Sequence, residues 1–315
     1  MLIMENNSST TNWWLDLVQC PWCGEIPFTD ATPKYETCNS CNKHFEIKNN
    51  SLEWKTDGKA TQRYDAPKGI LDIIKRVLHP LSNPLLPMRY WTQFRVEQYY
   101  KRVLNDTTLA KKWSGHYLSK LNLPKDATIL DHGCGRGRHV ALLNQLGFRS
   151  VGQDMSKNTW WQKLTKNGFQ VTPPNSTHLP WKSSSFDLVN DVQVIHYLLP
   201  EALENFIKEV KRVLKPGGHW ILLDANDNSY GGRHFQHERL LPLHVVRSLV
   251  TQNGFKEVDQ SYEGFYASVF PYVINFLRKQ CGPWPMDVSD YDSWIAQNIQ
   301  PEKRGLWLLR LINDK

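Results

Sequence analysis

Apolar and polar positions give the chain three stretches of different texture. From residue 127 onward, short apolar runs alternate with segments whose apolar residues recur every three or four positions. Residues 128–131 and 150–154 are short β-rich runs, each ending in an acid. Residues 139–146 repeat with helical spacing and close at Gly147. Leu203, Phe206, Ile207, Val210, Val213 and Leu214 mark one face of a second helix, which Lys215-Pro216-Gly217-Gly218 stops before a strand at 219–223. A helix over 240–252, a strand over 255–263 and a closing antiparallel strand over 304–312 complete the pattern. Strands alternating with helices predict a parallel sheet wrapped on both faces.

The middle of the chain reads differently. Pro67, Pro80, Pro84 and Pro87 punctuate it, bounding a short helix at 66–78. Val96, Tyr99, Tyr100, Val103 and Leu104 then share one helical face, with Tyr90, Trp91 and Phe94 just ahead. The stretch reads as an arm packed on the main domain, with a cover over the active site as the other reading. A second aromatic segment, about 265–303, holds Phe270, Tyr272, Phe276, Trp284, Tyr291 and Trp294, and reads as an insertion over the acceptor side.

Near the start, Cys20-Pro21-Trp22-Cys23 and Cys38-Asn39-Ser40-Cys41 are two C-x2-C pairs with fourteen residues between them. Each pair turns two sulfurs toward one point, and two such turns close a tetrahedron. Four thiolates leave no position for water, so Cys20, Cys23, Cys38 and Cys41 predict a structural zinc site. Disulfides are the alternative; His44 reads as a surface residue. The surrounding residues resemble a zinc ribbon, and look like the small zinc-ribbon proteins that act as activating partners of methyltransferases, here fused to the enzyme. A unit of that size has little core of its own, so metal should supply much of its stability.

Gly133-Cys134-Gly135-Arg136-Gly137 follows the first acid-ended strand and opens a helix. Strand, glycine loop and helix is the geometry that holds an adenosine-type cofactor beside a backbone turn. Asp154, about twenty residues on, would accept bonds from ribose hydroxyls. Four motifs occur in order: Ile-Leu-Asp-His-Gly-Cys-Gly-Arg-Gly, Val-Gly-Gln-Asp-Met-Ser, Leu-Pro-Trp with Ser-Phe-Asp-Leu-Val, and Glu-Val-Lys-Arg-Val-Leu-Lys-Pro-Gly-Gly. Together they resemble the S-adenosylmethionine-dependent class I methyltransferases over about residues 125–260. The resemblance implies an α/β, Rossmann-like sheet of seven strands with the last antiparallel. It places Asp131, Gly133, Gly135 and Gly137 around the methionine part of the cofactor, Asp154 on the ribose and Met155 beside the adenine. Asn175 stands where the family usually has an Asp contacting the adenine amine, and Ser176 and Thr177 would serve through backbone N–H groups. Asp191 stands where a small residue is usual, as cofactor-amine ligand, acceptor ligand or local cap. His132 replaces a usually apolar residue.

A sulfonium methyl is already electrophilic, so alignment of the acceptor does much of the work, and a hydroxyl or protonated amine also needs a base. His196 is the candidate base, with Tyr197 to orient the acceptor; the competing reading of His196 is a packed spacer. His178, His234 and His237 read as surface residues that would otherwise line the pocket. Cys134 reads as a small buried residue rather than a nucleophile, and Cys281 has no partner pattern.

Composition narrows the function classes. With 315 residues, 40% hydrophobic and 22% charged, the chain can bury a core. No apolar run approaches the roughly 20 residues of a spanning helix, and the polar start lacks a signal layout, so a cytoplasmic protein is expected. Net charge is +7, which suits an anionic partner. Yet Lys34, Lys43, Lys48 and Lys55 of the ribbon are outnumbered by acids. The expected organisation is a zinc ribbon with a flexible N-terminus (1–57), a helical linker or arm (58–124) and a methyltransferase domain (125–315). The expected acceptor is a small molecule methylated at O, N or C. An RNA base methyltransferase comes second, and a non-catalytic cofactor-binding partner protein third.

Overall fold

The computed structural model describes residues 13–28, 37–48, 50–55, 115–155, 157, 159–164, 168–173, 178–198, 200–229, 240–264 and 296–314. The proline-rich stretch and aromatic arm, most of the 265–303 segment, Asn175, Ser176, Thr177, His234, His237 and Cys281 lie outside them.

The order along the chain is β1 (Phe45–Lys48), β2 (Ser51–Trp54), β3 (Thr128–His132), α1 (Arg138–Gln145), β4 (Arg149–Asp154), β5 (Gly168–Val171), β6 (Phe186–Val192), α2 (Pro200–Val213), β7 (Leu214–Ala225), α3 (Leu243–Gln252), β8 (Phe255–Glu263) and β9 (Leu306–Asn313). All nine strands form one sheet, in the order β1-β2-β5-β4-β3-β6-β7-β9-β8. From β5 to β8 this is the expected seven-stranded Rossmann-like sheet. β9 pairs antiparallel with both β7 and β8, while the pairs among β5, β4, β3, β6 and β7 are parallel. The chain leaves β3 outward through β4 and β5, then returns to β6 on the other side. The β3/β6 boundary is therefore the topological switch point, where open α/β sheets bind ligands beyond their strand ends.

Two features were not foreseen. β5 is a fully buried strand of four residues, and its first residue, Gly168, lies directly under the Trp14 ring. β7 begins at Leu214 and runs through Lys-Pro-Gly-Gly, five residues earlier than the apolar pattern alone suggests. There Leu214 pairs with Phe186 before a register shift, so strand pairing captures the turn.

The cysteine-rich segment is continuous with the main sheet. β1 and β2 form an antiparallel hairpin, and β2 pairs in parallel with β5, Ser51 opposite Phe169. Trp14, Val18, Cys20, Cys38, Phe45, Leu52 and Trp54 share one buried cluster with Leu130, Val189, Trp181 and the apolar face of α2. Trp54 Nε1 donates to Gln170 Oε1 at 3.0 Å, and Lys182 N donates to Leu17 O at 2.8 Å. Successive residues of a strand face opposite sides. In β3, Ile129 packs on the α1 side with Leu143, and Leu130 packs on the α2 side. By the same alternation Asp131 faces α1 and His132 faces α2.

Candidate active site and metal centre

Beyond β3 the chain turns through Gly133 and Gly135, at φ 62° and 52°. This is the left-handed region that a Cβ disfavours. A Cβ at Gly133 would fall 2.3 Å from a methyl of Val194, whereas at Gly135 it would meet nothing within 4 Å. The loop is thus packed behind and open in front. Gly135 N donates to Asp154 Oδ2 at 2.9 Å, so the ribose candidate at the end of β4 lies against the loop. Met155 is next to it and 42% exposed. Cys134 is buried and its N donates to Gln153 O; burial pushes its thiol well up, the opposite of an activated nucleophile.

On the α1 face, Asp131 Oδ1 accepts from Asn190 Nδ2 at 2.6 Å and lies 3.6 Å from His139 Nδ1. Burial holds His139 below the usual histidine value. Asp131 Oδ2 receives no hydrogen bond among the described residues. On the α2 face stand two histidine–carboxylate pairs. His132 Nδ1 lies 3.3 Å from Asp191 Oδ2, and its ring packs at 4.6 Å on Phe206 of α2. His196 Nδ1 lies 2.5 Å from Asp224 Oδ1. The Asp224 carboxylate also accepts from the backbone N–H of His196 and of Ala225. Tyr197, half-exposed, lies against the His196 ring at 4.1 Å.

Asp131, Asp191 and Asp224 are at most 2% exposed and end three adjacent strands, β3, β6 and β7. Burial pushes the Asp191 carboxyl above its usual range; His132 opposes this, while the charges of Asp224 and Asp131 add to it. Asp191 Oδ1, like Asp131 Oδ2, receives no hydrogen bond among the described residues. Buried carboxylates lacking donors are costly. A ligand that brings a cationic amine to the switch point relieves that cost, so the residues present fit a cofactor bearing an ammonium and a ribose.

Sequence reasoning brought Asp131, Asp154, Asp191, the glycines, His196 and Tyr197 to one end of the sheet, and the structure gathers them there. His132 has its explanation in Asp191. The residues missed were Asn190, His139 and Asp224. Asp224 was findable: it closes an apolar strand with an acid, as Asp131 and Asp154 do. His178 instead pairs with Glu209 at 3.4 Å beside the cysteine segment, its N–H donating to Pro21 O.

At the other centre, the four Sγ atoms of Cys20, Cys23, Cys38 and Cys41 lie within 4.8 Å of one another. The Cys20–Cys41 and Cys23–Cys38 separations are 3.6 and 3.7 Å. A tetrahedron of about 2.3 Å Zn–S bonds has edges of about 3.8 Å, whereas a disulfide needs about 2.05 Å; all four cysteines are free. The two turns are alike. Gly24 N donates to Cys20 O and Asn42 N to Cys38 O, and both donors have positive φ. Cys20 N donates to Glu25 O and Cys38 N to Lys43 O, both at 2.8 Å. Burial pushes the Cys20 and Cys23 thiols up, a penalty that a bound dication would reverse. The donor set suits zinc. His44 is exposed and outside the cluster.

Residues 130–222 match the methyltransferase domain family. The chain is 32% identical over 116 residues to an uncharacterized methyltransferase of Synechocystis, covering 35% of this chain and 52% of that one. It is 27% identical over 161 residues to a sterol 4-C-methyltransferase of Caenorhabditis elegans, covering 47% of each. It is 24% identical over 200 residues to a tRNA (carboxymethyluridine(34)-5-O)-methyltransferase of Arabidopsis thaliana, covering 60% of this chain and 45% of that one. The chain spans about half the length of these curated relatives. With the sheet order and the glycine loop at the switch point in hand, residues 130–222 match a methyltransferase domain set in a Rossmann-like sheet of the class I methyltransferase type.

Proposed function

We propose that this protein transfers a methyl group from S-adenosylmethionine to a small-molecule acceptor, with His196 receiving the acceptor's proton. The bound cofactor supplies an electrophilic methyl on a sulfonium. The chain's residues do the rest. Asp131 and Asp191 hold the amine, the loop from Gly133 to Gly137 approaches the methionine portion with its backbone, and Asp154 holds the ribose, with Met155 beside the adenine. Asn175, Ser176 and Thr177 remain the candidates for the adenine edge. Asp224 fixes the His196 ring by its Nδ1, which leaves Nε2 as the basic nitrogen, and Tyr197 orients the acceptor. The observation that carries this reading is the His196–Asp224 pair, set one strand beyond Asp191, whose Oδ1 receives no hydrogen bond among the described residues. Cys20, Cys23, Cys38 and Cys41 hold a structural zinc. Four reduced thiols suit a cytoplasmic setting.

The tRNA-directed relative favours a second reading, methylation of an RNA base. Against it, two of the lysines of the cysteine segment, Lys48 and Lys55, are paired with acids. Lys48 pairs with Glu46, and Lys55 pairs with Glu46 and Glu53, holding the Glu46 carboxyl at about 2. That surface offers little net charge to a phosphate backbone.

The test supplies labelled methyl donor to the pure protein with fractionated cell extract. Label in a nuclease-resistant small-molecule fraction, lost in His196→Ala while calorimetry still shows S-adenosylhomocysteine binding, is the expected result. Label that disappears with nuclease moves the assignment to RNA. Absence of binding to both donor and by-product removes the methyltransferase reading altogether.

A further inference from the structure

The turn joining β1 and β2 touches the switch-point loop through a single intermediary. Asn50, buried in that turn, donates from Nδ2 to Trp161 O at 2.8 Å and Leu164 O at 2.9 Å. Its own carbonyl accepts from Phe169 N at the start of β5. These bonds secure the 3-10 turn Thr159–Lys163, which stands between β4 and β5. From that turn Trp161, 1% exposed, donates its indole N–H to Gly135 O at 2.9 Å. Its ring lies flat on Phe169, centroids 4.7 Å apart and planes 10° apart. Leu164 closes the same contact from below, since a Cβ at Gly137 would fall 2.7 Å from its Cδ1.

Gly135 is the open-faced glycine of the loop, the one whose N–H engages Asp154. Gly135 is therefore held through both of its flanking peptides, by Asp154 at its N–H and by Trp161 at its carbonyl. A left-handed glycine has little intrinsic preference for its conformation, so external bonds must choose it. We propose that Asn50 and Trp161 are positioning residues for the cofactor: the cysteine hairpin, through Asn50, seats the Thr159–Lys163 turn, and Trp161 on that turn holds the Gly135 peptide in the orientation that binds. This rests on the reading of the loop as the S-adenosylmethionine site. It gives the hairpin a part in cofactor affinity that its distance in sequence, 85 residues from Gly135 to Asn50, conceals.

The variant W161F keeps an aromatic ring beside Phe169 and deletes the indole donor together with part of the ring's volume. Titration of the full-length protein with S-adenosylhomocysteine should give a Kd raised about three- to tenfold, the weight of one buried hydrogen bond, with unchanged far-ultraviolet circular dichroism. Asn50→Ser should weaken binding similarly and, by hydrogen exchange, speed exchange at the amides of Leu164 and Gly137 together. A W161F affinity within twofold of wild type, with the fold intact, overturns the proposal. Should W161F not fold, native exchange on the wild type decides: Leu164 and Gly137 amides opening with unrelated free energies overturn it, and a shared opening supports it. The exchange readout needs no ligand. A wild-type protein that binds no S-adenosylhomocysteine therefore refutes the cofactor assignment, while the exchange result still tests the coupling between turn and loop.

Discussion

Replacing Asp191 by Asn should make the unliganded protein more stable and less able to hold its cofactor. Asp191 is fully buried, its Oδ1 receives no hydrogen bond among the described residues, and Asp131 and Asp224 add repulsion. An unsatisfied buried acceptor costs about 1–3 kcal/mol, more when charged. The amide removes the charge and keeps an oxygen for His132 Nδ1, 3.3 Å away. What it gives up is the charge assistance of that bond, about 1 kcal/mol. The net gain at pH 8 should be about 1 kcal/mol, or roughly 2 °C in Tm for a chain of this size. The pH dependence has a definite sign. A carboxyl whose folded pKa is raised contributes its full relative stability below its unfolded value, about 3.9, and that contribution is lost as pH rises through the raised value. Wild type thus carries its full penalty at alkaline pH, and the advantage of D191N should shrink as pH falls toward 4. Thermal unfolding of both proteins from pH 5 to 9, with and without S-adenosylhomocysteine, reads this directly. The ligand should restore or reverse the order, because its amine interacts best with the carboxylate. A D191N protein less stable than wild type at pH 8 without ligand would refute the claim that this carboxylate is strained in the free site.

Three further outcomes follow from the same geometry. Gly168→Ala places a Cβ 2.1 Å from the Trp14 ring, backed by buried sheet, and should lower stability by about 1–3 kcal/mol in denaturant unfolding. Removing metal with a strong chelator, or making Cys38→Ser, should lower Tm by several degrees in one cooperative transition rather than two, because β2 shares the sheet and core of the main domain; calorimetry with metal analysis should find one zinc per chain before treatment. Asp224→Asn should lower turnover about tenfold or more while leaving S-adenosylhomocysteine affinity near wild type, and should shift the pH–rate profile of the His196 limb.

Much of the central sheet was legible because its signals are local. An apolar run ending in an acid, then glycines, then a helical face places Asp131 and the loop without any knowledge of tertiary contacts. β5 was not legible, since four residues carry no period and Gly168 argues against a strand; it exists because Trp14 and β2 cover its two exposed sides. The site was half-legible for the same reason. Asp154 follows from spacing, but the pairing of His132 with Asp191 joins residues 59 positions apart, through the alignment of β3 with β6. Each looks anomalous alone, and each accounts for the other.

The two-faced character of the site is a consequence of that alignment. Asp131 and Asn190 face α1, while His132, Asp191, Asp224 and His196 engage the α2 side. Consecutive residues of a strand face opposite sides, so Asp131 and His132 of β3 serve the two faces of the sheet and a site that uses both must lie at the strand ends, where the faces meet. The switch point provides this, because there β3 and β6 end together and nothing continues between them. The same edge geometry explains the placement of the cysteine hairpin. Added beyond β5, it reaches the loop from the far side of β4 through Asn50 and Trp161, on the opposite side of β3 from β6, β7 and the His196–Asp224 pair.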